Sequence, residues 1–291
     1  MKVKNTFYFL VIVLSIYIFS LYSASKWLEL EDTTSENLTW WQFLLWFFAS
    51  TGAYLALLQI KKKWFSGKKF KTASIIERVF LEIAMISCIV FGTALVVAPL
   101  LDKFSFTWGL IVLGVLILSL ILGRLFFCKV WIHNLIWMVI IGGTGIMVGT
   151  AMPWKDAIIV LAVLTVYDFV AVYKTKHMIK MMEGMTAAGL IPGIIFPRDK
   201  ISAFAEGLKG IDLEKIGGDF FLIGGGDIFI PLLLITSLLK DNLGSVIITA
   251  ELSLAGIFLA LLEVTRSKKP VPGLIFIVPC SLLGVLISKL I

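Results

Sequence analysis

The apolar residues of this chain come in runs about as long as a bilayer is thick, one after another along its length. About 20 apolar residues in helical form cross the hydrocarbon core. Inside that core a backbone must close its own hydrogen bonds, so runs of this length commit the chain to a bundle of spanning helices. Nine runs fit the template, at residues 6–24, 41–60, 79–101, 104–123, 131–150, 156–173, 220–239, 243–262 and 271–290. The 291 residues are 59% hydrophobic and only 15% charged, against roughly 45–50% apolar usage in soluble domains. The expectation is an all-α polytopic membrane protein, a single integral membrane domain over residues 1–291 with nine transmembrane helices.

The net charge of +7 does not indicate nucleic acid, because the Lys and Arg residues are confined to short loops between the runs, as membrane orientation signals are. With the N-terminus cytoplasmic, 21 of the 26 basic residues fall on the cytoplasmic side, leaving Lys26, Lys103, Lys155, Lys240 and Lys289 outside. This asymmetry predicts a multi-pass protein of the cell membrane, its N-terminus inside and its C-terminus extracytoplasmic. The first run follows Lys2 and Lys4 as a signal peptide would, yet it is long for one and lacks a clean cleavage site before Lys26, so it reads as a retained span. Cys88, Cys128 and Cys280 lie in or beside separate runs with no paired spacing, and the two histidines, His133 and His177, form no HExxH. Disulfides, metal sites and cofactors are therefore not expected.

The longest connection, residues 174–219, is assigned to the cytoplasmic side between the sixth and seventh helices. Its first part, KTKHMIKMMEGM, reads as a basic, methionine-rich amphipathic helix, and two prolines break IPGIIFPRDK after it. Two readings fit this segment, an interfacial helix with its loop and a gate that contacts substrate.

Two carboxylates stand apart from those at span ends. Asp168, in VLTVYDFVAVYK, lies six residues before Lys174, and Asp227, in FLIGGGDIFIPLLL, lies about seven residues into the next span from the same face. At about 1.5 Å per residue both are on the order of 10 Å from the cytoplasmic boundary. Two carboxylates at one depth in a poorly solvated site can share a proton, one accepting from water while the other donates to a carbonyl. Carboxylates at membrane depth also mark proton or ion pathways, or serve packing. All three readings stand on the residues alone. Gly224, Gly225 and Gly226 either admit a substrate backbone beside Asp227 or allow close helix packing. Asp219, in IGGDFF, reads as a cap at the start of the span, and His133 as an interfacial residue without a partner serine.

Tyr167-Asp168 in the sixth run and Gly224-Gly225-Gly226-Asp227 in the seventh reproduce YD and GxGD, and Pro272-Gly273-Leu274 in KPVPGLIFIVP stands where a PAL element would, with glycine for alanine. In this order, on these spans, the set resembles the presenilin and signal peptide peptidase proteases, and nine spans with a cytoplasmic N-terminus are similar to presenilin. The chain looks like a compact microbial homologue of that family, without a long hydrophilic loop. The resemblance implies an intramembrane aspartic endopeptidase that hydrolyses peptide bonds of transmembrane protein substrates within the lipid bilayer, with Asp168 and Asp227 as acid and base. It implies site-shaping roles for Tyr167, the three glycines and Pro272 to Leu274, and it implies no cofactor. Accessory subunits are not expected to be required, and assembly into a homo-oligomer stays open. An extended backbone at Pro272 to Leu274 is expected to pair with unwound substrate. The rival is a cation or proton leak channel or transporter using the same aspartates, for which Gly-interrupted stretches such as IIGGTGIMVG would supply broken helices.

Overall fold

A computed structural model describes residues 3–30, 38–64, 68–101, 104–127, 129–175, 177–187, 190–197, 220–267 and 271–291. Asp219, Cys128 and most of the second half of the 174–219 connection lie outside them. The described chain is helical apart from one hairpin. Its helices are α1 (Val3–Leu30), α2 (Trp40–Trp64), α3 (Lys68–Val97), α4 (Phe106–Leu122), α5 (Val130–Ala151), α6 (Trp154–Phe169), α7 (His177–Ala187), α8 (Gly225–Ser237), α9 (Leu243–Ser267) and α10 (Leu274–Leu290). The strands β1 (Gly193–Pro197) and β2 (Phe220–Gly224) pair antiparallel, Gly193 opposite Gly224 and Pro197 opposite Phe220.

Six segments among the described residues are long and apolar enough to cross a membrane, formed by α1, α3, α4, α5, α6 and α9, with α3, α4 and α6 each continued by a short 3-10 or π turn. The chain is therefore a multi-pass membrane protein. The other three expected spans, at α2, at β2 with α8, and at the 17-residue α10, fall outside that measure, so nine remains an expectation.

Burial sorts the helices. Nothing on α4 is buried, as suits a helix facing lipid. Every residue of α8 from Ile230 to Ser237 is buried, which makes this short helix the axis of the bundle. Its neighbour α5 approaches it closely enough that a Cβ on Gly145 would stand 2.6 Å from Leu232 Cδ2, and one on Gly149 would stand 2.7 Å from the Leu233 carbonyl oxygen. Small residues let membrane helices pack this way. The stretch IIGGTGIMVG is thus part of one continuous helix with its glycines in contacts, not the broken helix a transporter would need. The same device joins α9 to α10, where a Cβ on Gly256 would reach to 2.7 Å from Ile277 Cα.

Candidate active site

The sequence suggests a helix over 220–239, but its first five residues are extended and the helix begins only at Gly225, with Gly224 as its N-cap at φ −58°, ψ 139°. Asp227 is consequently the third residue of a helix rather than the interior of one. From that position a carboxylate turns back to the N-cap backbone, and the Gly224 N–H is the donor that Asp227 meets. The positive end of the helix adds to this stabilisation. Pro231, four residues on, has no N–H, so the Asp227 carbonyl has no partner at the usual helical spacing.

The hairpin that carries Gly224 is held on α5 by two neighbouring side chains. Asn134 accepts from the Ile195 N–H at 2.9 Å and donates to the Ile195 carbonyl at 2.8 Å. His133 Nε2 donates to the Gly193 carbonyl at 2.9 Å. His133 is only 3% exposed, so it is a buried strut, where the sequence suggests an interfacial residue. Gly193 has φ +156° and lies so close to the Ile223 carbonyl that any Cβ would collide with it. Because Ile195 spends its backbone groups on Asn134, its opposite number Leu222 turns its own N–H and C=O away from β1, to the edge of the hairpin that no strand among the described residues covers.

Asp168 comes from the last turn of α6, which packs on both α8 and α10. It is 5% exposed, and its Oδ2 is buried without a hydrogen-bond partner among the described residues. The Leu274 backbone N–H, at the start of α10, faces its carboxyl as a donor. Asp227 is partly exposed, and the two carboxyls are near enough for the charge on one to act on the other. Two acids 59 residues apart in the sequence, one at a helix C-terminus and one at a helix N-terminus, are thereby brought to a single site.

Pro272, Gly273 and Leu274 are all buried. Gly273 has helical angles, φ −66° and ψ −34°, so the extended geometry expected of this element belongs instead to β2. The three glycines before Asp227 differ in their surroundings. A Cβ on Gly224 would lie 3.3 Å from Asp227 Oδ2, one on Gly225 would lie 3.1 Å from the Trp137 ring, and one on Gly226 would have nothing within 4 Å. Only Gly226 leaves open space. Tyr167 stacks edge-on against Phe47 and Phe48 of α2, at 5.7 and 5.4 Å between centroids, and its hydroxyl is 2.8 Å from His177 Nε2. Sequence reasoning missed His177 and Asn134. Among the described residues no three His, Cys, Asp or Glu side chains converge as metal ligands would. A cavity of about 350 Å³ among α1, α3 and α5, lined by Ser15, Ser20 and Val139, contains neither aspartate.

Fold and site together define a helical membrane protein with two acids converging beneath a backbone-built hairpin. The model of the family described as signal-peptide peptidase, presenilin aspartyl protease matches residues 5–291. The chain belongs to that family. Two solved structures of a presenilin family intramembrane aspartate protease share its fold. The one in space group C222 has a TM-score of 0.65 at 16% identity, covering 98% of this chain and 99% of that one. The one in space group P2 has a TM-score of 0.60 at 17% identity, covering 100% and 98%. No curated protein matches the sequence.

Proposed function

We propose that this chain is an intramembrane aspartyl protease that cleaves transmembrane protein substrates with Asp168 and Asp227 as a water-activating pair. The observation that carries this reading is the convergence of two acids from α6 and α8, in Coulombic reach of each other, in a chain of the aspartyl protease family.

In the resting site one proton is shared between the two carboxyls. The ionised one takes a proton from water as the water oxygen bonds to the scissile carbonyl carbon, while the other gives its proton to the carbonyl oxygen. A gem-diol results. Its collapse transfers a proton to the amide nitrogen, breaks the C–N bond and leaves a new carboxyl and a new amine. Catalysis needs nothing besides water, the peptide and the two acids.

A substrate helix must lose its own hydrogen bonds before a carbonyl can be attacked, and each group left unpaired in lipid is expensive. The edge of β2 away from β1, unpaired among the described residues, offers replacements, since the Leu222 N–H and C=O point to it. An extended peptide added there would run directly into the Asp227 turn, the β-addition mode of peptide recognition. Gly226 leaves room for its backbone. We further propose that the chain acts as one membrane domain with a cytoplasmic N-terminus, residues 174–219 on the cytoplasmic side, and no required accessory subunit.

The test is to incubate purified wild-type protein in detergent with a single-span substrate and to map the products by mass spectrometry. The proposal expects cleavage of a bond inside the apolar segment. No cleavage, or cleavage confined to the flanking hydrophilic residues, would refute it.

A further inference from the structure

The three helices that build the site are joined a second time, at the end of the bundle away from the acids. Lys289, in the last turn of α10, pairs with Asp241, which follows the short turn after α8. The same ammonium stands 4.9 Å from the centroid of the Trp154 ring, at the first residue of α6. One side chain thus meets α6, the end of α8 and α10 at once. Trp154 is fourteen residues before Asp168, Asp241 is fourteen after Asp227, and Lys289 is fifteen after Leu274. Three struts of nearly equal length therefore run from this corner to the site, each about 21 Å at about 1.5 Å per residue. The corner also holds α2, whose Trp40 N–H donates to Asp156 Oδ2 at 3.1 Å. Lys155 reaches the Trp154 ring at 5.7 Å, but as a residue of α6 it links no second helix through that ring. Lys240, one residue before Asp241, makes no ion pair among the described residues.

We infer that Lys289 is a positioning residue: it clasps the far ends of α6, α8 and α10, and so holds these segments as one frame that keeps the two acids in register. The leverage is long. A tilt of about 3° at the corner carries an acid about 1 Å at the other end, a displacement that costs up to about 10²-fold in rate. The clasp itself is modest, because the Lys289 and Asp241 side chains are 38% and 31% exposed. A pair of this kind, with its cation beside an aromatic ring, shifts a population about fivefold. The apolar core holds the bundle, and the clasp sets the angle of three of its members. The catalytic consequence rests on the protease reading; the coupling of the three helix ends does not.

Wild type, Lys289→Met, Lys289→Arg, Asp241→Asn and the Lys289→Met/Asp241→Asn double variant are compared in detergent by thermal melting and by cleavage of a single-span substrate. Methionine keeps the apolar stem and removes the charge. Lys289→Met is expected to lower kcat about fivefold with KM unchanged. Lys289→Arg should stay within about twofold of wild type, since a guanidinium meets both a carboxylate and a ring face. In high salt the gap between wild type and Lys289→Met should narrow, as it does for an exposed charge pair. The double variant should cost less in melting than the sum of its two single variants. Lys240→Met, on the same turn, should match wild type throughout. An unchanged kcat for Lys289→Met overturns the inference, and so do a loss carried by KM alone and strictly additive melting costs. If the wild type does not cleave, the protease reading fails by itself, and the melting cycle still decides whether Lys289 and Asp241 clasp the helix ends.

Discussion

An aspartate at membrane depth is tolerated here because of where in a helix it falls. Placed mid-span it would cost about 2.5–3.5 kcal/mol on insertion scales; at the third position of α8 it meets the Gly224 N–H and the positive helix end. The sequence made both acids visible, since few carboxylates stand so far from a run's end, but it hid this arrangement. FFLIG is a short apolar run, and periodicity alone does not separate a buried strand of that kind from a turn of helix. The partner of Tyr167 was equally hidden, because His177 belongs to the next helix. The Tyr167–His177 bond can be measured: Tyr167→Phe and His177→Ala should each cost about 0.5–1.5 kcal/mol in unfolding free energy, and the double variant should cost less than their sum. Strict additivity would show that the hydroxyl and the ring do not act as a pair.

Elements act through their edges. The hairpin is fixed on one edge by Asn134 and, among the described residues, unpaired on the other at Leu222. Asn134→Ala leaves two buried backbone groups of Ile195 without partners, at about 1–3 kcal/mol each. Hydrogen exchange at β1 should accelerate accordingly, and kcat/KM should fall with it; unchanged exchange would mean that Asn134 does not hold the strand. Leu222→Pro removes an N–H that β1 does not use, so the fold should persist while KM for a single-span substrate rises about tenfold, the equivalent of one lost hydrogen bond of about 1.4 kcal/mol. An unchanged KM would rule out strand addition at this edge. Neither element was legible beforehand. Two prolines suggested a break in 191–200, and the strand between them is defined by long-range pairing to 220–224 and by Asn134, sixty-one residues away.

The bundle as a whole was the most legible level, since run length and loop charge follow directly from the bilayer. What they could not specify is which helix is central. That role falls to the short α8, held by α5 through Gly145 and Gly149. Gly149→Ala forces a methyl group against the Leu233 carbonyl and Thr236, and should destabilise by about 1–3 kcal/mol; a melting temperature equal to wild type would refute the close α5–α8 contact. The charge asymmetry, with 21 of 26 basic residues on alternate loops, predicts that a tag at residue 1 is protected in intact cells and one at residue 291 is accessible, and the reverse pattern would invert the topology. The proposed activity requires Asp168 and Asp227 to act together in hydrolysis. Its most direct measurement is the cleavage rate of a single-span substrate by wild type, Asp168→Asn and Asp227→Asn, each shown to melt like a folded protein. Either variant alone is expected to lose at least about 10²-fold in rate; cleavage by either at the wild-type rate would rule out a two-acid mechanism.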